Sequence, residues 1–166
     1  MTVSVSREDL AGTRHRVKIR QHSFTVDTSV AGGGNDEGPS PHDLYDASLA
    51  SCKALTVLLY AKRKGMPLEN IEVQVERDDS QERQGTYKLK TVLHLTGPLD
   101  DAQRAELLRV AGKCPVHRLM SEVKTEIETV LADLHAVAGA GEVVAAHGNG
   151  HVWTPIFGLR VDSVPP

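Results

Sequence analysis

The chain has 166 residues, 40% of them apolar and 25% charged, the composition of a soluble globular domain long enough to bury a substantial core. A net charge of −3 with aromatics at only 4% offers neither the basic patch nor the stacking platforms of a nucleic-acid binder. No apolar run approaches the ~20 residues of a membrane helix, no basic-then-apolar leader opens the chain, and two cysteines are too few for a disulfide scaffold, so a reducing cytoplasm is the expected setting.

Three short segments alternate with a period of two: Val3 and Val5, then Val17 and Ile19, then Phe24 and Val26. They predict strands, with turns over residues 9–13 and at Gln21-His22. Residues 28–39, with Gly32-Gly33-Gly34 and Gly38-Pro39, lack the Lys-Ser/Thr ending and the glycine spacing of a phosphate cradle, and read as a flexible connector.

Ser40-Pro41-His42-Asp43 is a strong helix start, with Ser40 as cap, Pro41 at the first helical position and Asp43 in the first turn. Leu44, Ala47, Ser51, Leu55, Leu58 and Leu59 keep roughly helical spacing until Gly65 and Pro67. The small residues Ala47, Ser48, Ala50, Ser51 and Ala54 would let another backbone approach closely, which suits a central helix. Ile71, Val73 and Val75, then Leu89, Thr91, Leu93 and Leu95, alternate as a hairpin joined over residues 78–85. An amphipathic helix is expected over residues 100–111, closed by Gly112, and a short one after Cys114-Pro115. Residues 123–131 fit either period, and their β-branched content favours a strand. The order βββ-α-ββ-α-α-β is an α+β pattern with antiparallel hairpins. Residues 1–134 form the expected domain; residues 135–166, with the only tryptophan, read as a disordered tail or as an arm packing on a partner subunit.

Chemistry centres on the two cysteines. Cys52 lies far from its helix start, where the helix dipole helps little, and burial in an apolar helix would raise its thiol pKa. Cys114, at a helix cap with His117 and Arg118 three and four residues on, is the better thiolate on spacing alone. Cys114-x-x-His117 has no second matching pair, which argues against zinc, and no Gly-x-Ser-x-Gly elbow points to serine hydrolysis.

Gly38-Pro39-Ser40-Pro41-His42-Asp43-Leu44, Ala50-Ser51-Cys52 and Cys114-Pro115-Val116-His117, in this order across a ββα segment, resemble the OsmC/Ohr family of osmotically inducible and organic hydroperoxide resistance proteins. The likeness spans residues 10–134. It implies an intertwined homodimer, with antiparallel sheets around long central helices, and thiol peroxidase activity on hydrogen peroxide or organic hydroperoxides. Cys52 then attacks the peroxide and Cys114 resolves the sulfenic acid, the reverse of the spacing-only preference. An external dithiol reductant is implied, with no cofactor and no metal. The family's site adds an N-terminal arginine held by a glutamate near the start of the first helix. Arg14, Arg16 and Arg20 are candidates for the arginine, with Arg16 favoured; the glutamate position, ten before Cys52, holds His42, with Asp43 adjacent. Ten helical residues span ~15 Å, so contact with Cys52 would need a second chain. The departure at His42 leaves a second reading, a binding or structural member of the fold without efficient peroxidase activity.

Overall fold

The computed structural model of the chain describes residues 1–8 and 10–132, of which residues 1–125 belong to one compact unit. The proposed tail over residues 135–166 lies outside the described residues. Strands β1 (Val3–Arg7), β2 (His15–Ile19) and β3 (His22–Val26) form an antiparallel sheet in chain order, with Val17 of β2 opposite both Val5 and Phe24. Arg20, at φ 55°, turns the chain between β2 and β3.

Helix α1 (Pro41–Lys64) follows, begun by a reciprocal capping box. The Ser40 hydroxyl accepts the Asp43 N–H at 3.2 Å, and the Asp43 carboxylate accepts the Ser40 N–H at 2.9 Å. Gly65, at φ 64°, ends it in the left-handed conformation that glycine adopts at least cost. Strands β4 (Asn70–Asp78) and β5 (Lys88–Thr96) make the second, two-stranded antiparallel sheet. Helices α2 (Asp101–Ala111), capped by Asp100, and α3 (Pro115–Ser121), capped by Cys114, follow, and two single 3-10 turns lie at Val30–Gly32 and Glu82–Gln84.

The core gathers Val57 and Ala61 of α1, Leu107 and Ala111 of α2, and Leu99, with Ile71, Leu93 and Leu95 of the hairpin packed against it. Gly97 is needed where the chain leaves β5, since its φ is 131° and a Cβ there would collide with the Pro67 carbonyl.

Three expectations need correction. The buried stripe of α1 is Asp46, Leu49, Lys53, Val57 and Ala61, whereas Ala47, Ser51, Leu55 and Leu59 of the predicted apolar face are exposed, the two leucines at 58%. The hairpin and α2 cover only one side of the helix, and that side carries two charges. Residues 123–131 form neither helix nor strand, and they join no ladder among the described residues. β-Branched residues suit a pleated, half-buried surface, and such a surface exists only where a neighbouring strand supplies it. Residues 28–39, read as a flexible connector, are instead folded around one carboxylate.

That carboxylate is the buried Asp27. It accepts the Thr13 hydroxyl at 2.5 Å and the N–H groups of Thr28, Asn35 and Glu37 at 2.9, 3.1 and 3.1 Å. Gly34 fits inside because a Cβ would meet the Thr28 carbonyl. These donors, the Thr13 hydroxyl first, lower the Asp27 pKa to about 2. An acid depressed in the folded state supports folding above its unfolded pKa and loses that support as pH falls through the folded value. Urea unfolding should therefore show stability declining from about pH 4 to about pH 2, with a shallower decline in Asp27→Asn. Superimposable acid limbs would remove Asp27 as the organiser of this loop.

Candidate functional site

The two cysteines meet where α1 passes the start of α3. Cys52 sits midway along α1 and is half-buried; Cys114 caps α3 and is fully buried, at 0% exposure. The Cys114 sulfur accepts the His117 N–H at 3.3 Å, and the Cys52 thiol is near enough to act on its ionisation. Burial is the largest influence on the Cys114 thiol and pushes its pKa up. The His117 N–H opposes it, the neighbouring Cys52 thiol adds to it, and the Lys53 charge opposes it again. The thiolate expected at this cap from spacing is thus disfavoured on balance, because loss of solvent outweighs a single N–H.

Lys53, one residue beyond Cys52, is buried in the same region. Only 3% exposed, its Nζ donates to the Ala111 carbonyl at 2.9 Å and lies 3.3 Å from His117 Nδ1. A signal for it exists in the chain: Lys53 stands four residues from both Leu49 and Val57, which are core residues.

A second charged cluster ties the start of α1 to the far end of the hairpin. Arg77 of β4 donates to Asp43 and to the buried Asp46, each at 2.6 Å, and Tyr87 donates its hydroxyl to Asp46 at 3.0 Å. The Ser40 and Arg77 donors lower the Asp43 pKa to about 2. Burial, with the Asp46 carboxylate as acceptor, raises that of Tyr87 to about 12. Arg77 continues the Ile71, Val73 and Val75 face of β4, so alternation alone aims it at α1.

The remaining expected site residues are paired with other side chains. Arg16, on β2, pairs through Nε with Glu8 at 2.8 Å, and Arg14 contacts the same carboxylate at 3.2 Å as well as Glu37. Asp43 is taken up by Arg77 rather than by an N-terminal arginine. His42 Nε2 lies 3.0 Å from Glu82, and the His42 ring borders a groove of about 340 Å³ with Pro41, Tyr45 and Tyr87. No group of three or more metal-binding side chains occurs among the described residues, and none of their helices is long and apolar enough to cross a membrane.

Residues 33–129 match the OsmC-like protein family, more than half of the chain, and the chain belongs to that family. Solved structures agree in fold. A protein from Psychrobacter arcticus is 20% identical with a TM-score of 0.62, over 74% of this chain and 89% of that one. An OsmC-like protein from Mycoplasma pneumoniae is 19% identical at 0.60, over 74% and 87%. The organic hydroperoxide resistance protein OhrB of Bacillus subtilis is 22% identical at 0.51, over 74% and 92%. A search of curated proteins gives no match.

Proposed function

We propose that the protein detoxifies hydroperoxides in the cytoplasm as a two-cysteine, thiol-dependent peroxidase. One observation carries the reading: two cysteines 62 positions apart in the sequence, its only two, are brought side by side by the packing of α1 and α3. The Cys52 thiolate attacks the distal peroxide oxygen, the O–O bond breaks, and Cys52 becomes a sulfenic acid as the alkoxide, or hydroxide from hydrogen peroxide, leaves and takes a proton from solvent. The Cys114 sulfur then attacks the Cys52 sulfur. The S–S bond forms, the S–O bond breaks, and the hydroxide leaves as water with the Cys114 proton. An external dithiol returns the disulfide to two thiols, with no cofactor required.

The cation beside Cys52 is assigned to a second copy of the chain. Within one chain Arg16, Asp43 and His42 are engaged by Glu8, Arg77 and Glu82, and the exposed Ala47, Ser51, Leu55 and Leu59 stripe of α1 offers a face to a homodimer partner. The binding-only reading draws on His42 at the glutamate position and on Asp43 being engaged by Arg77. One equivalent of organic hydroperoxide decides between them. The peroxidase should lose two hydrogens in intact mass and yield a Cys52–Cys114 crosslinked peptide; an unchanged mass with both thiols still alkylatable favours the binding-only protein.

A further inference from the structure

Lys53 is a buried charge with no part in the two-cysteine chemistry proposed above. A lysine held at 3% exposure loses most of its hydration, so a tolerated one needs fixed partners. Its partners bracket Cys114 on both sides: the Ala111 carbonyl ends α2 three residues earlier, and the His117 ring stands three residues later. His117 thus serves twice, its backbone N–H on the Cys114 sulfur and its Nδ1 toward Lys53. With the ammonium donating, Nδ1 is the acceptor and the ring proton belongs on Nε2.

We propose that Lys53, held by His117 and the Ala111 carbonyl, is a positioning residue for the resolving step, its charge stabilising Cys114 as thiolate while that sulfur attacks Cys52. The inference rests on the peroxidase reading for the step it serves, though not for the charge effect itself. The groups facing Cys114 are Cys52 and Lys53 from α1, the His117 N–H and ring from α3, and the Ala111 carbonyl at the end of α2 by way of Lys53. Lys53 is the cation among them, and its charge opposes the burial that disfavours the thiolate. The same charge would favour Cys114 as the leaving thiolate when a dithiol opens the disulfide at Cys52.

The test follows Cys114 directly. In Cys52→Ser, Cys114 is the only cysteine, so protein carrying cysteine labelled with carbon-13 at Cβ reports one thiol titration by NMR. Adding Lys53→Met, or Lys53→Gln, which retains a donor for Ala111 without the charge, should raise the midpoint by about one pH unit, roughly tenfold less thiolate at a given pH. Adding His117→Leu instead, which keeps the charge and loses one tether, should move it the same way by less. With both cysteines present, Lys53→Gln should form the disulfide roughly tenfold more slowly after one equivalent of hydroperoxide, with more sulfenic acid trapped by dimedone. An unmoved midpoint in Lys53→Gln overturns the proposal, whether or not Lys53→Met folds. A moved midpoint in a protein whose parent forms no disulfide overturns the peroxidase reading and leaves the charge effect standing.

Discussion

Cys52→Ser should abolish hydroperoxide consumption in the presence of a dithiol, whereas Cys114→Ser should still be oxidised once. A serine hydroxyl stays protonated at neutral pH and is a far weaker nucleophile toward an O–O bond, so the expected loss is at least a thousandfold, on the scale of removing an enzyme's nucleophile. Cys114→Ser leaves the attacking sulfur intact and stops the cycle at the sulfenic acid, which dimedone traps as a single adduct on Cys52. The pair of variants separates roles as well as presence. Residual turnover by Cys52→Ser at the parent rate would exclude Cys52 as the nucleophile, and a dimedone adduct on Cys114 in the parent would exchange the two assignments.

The second large effect concerns stability. Arg77→Leu should destabilise the fold by about 2–4 kcal/mol, because Asp46 stays buried with the Tyr87 hydroxyl as its remaining partner. The lower end allows for the partial exposure of the Arg77 side chain, at 27%. Asp43→Asn should cost less, about 1 kcal/mol, since Asp43 is half exposed and its contribution is divided between the capping box and one surface-facing ion pair. Replacing both members, Asp46→Leu with Arg77→Leu, should recover much of the loss, because no charge is then stranded. Urea unfolding of the four proteins reads these differences. A cost below about 0.5 kcal/mol for Arg77→Leu would show that water or another group already satisfies Asp46.

The clusters around Arg77 and Lys53 are where the linear reading fell short. The start of α1 was legible because its determinants are four consecutive residues, and Ser40, Pro41 and Asp43 do in the structure what their side-chain chemistry predicts. The β4–β5 hairpin was legible through strict alternation, and Cys114 as a cap through the proline that follows it. The choice of buried face on α1 was not. Both faces carry apolar residues at helical spacing, and the one that the hairpin and α2 cover includes Asp46 and Lys53, which composition assigns to solvent. Their partners Arg77, Ala111 and His117 lie 31 to 64 residues away, so nothing local announces them.

The same division holds for the chemistry. Which atoms can react, two thiols among 166 residues, and where the neighbouring helices begin, follow from residue types and short-range backbone preferences. That the two thiols come near enough to influence one another, that burial rather than the capping N–H governs Cys114, and that a buried lysine lies beside Cys114, depend on packing. Desolvation and charge–charge energies are set by distances through space, and these exist only once α1, α2 and α3 have docked.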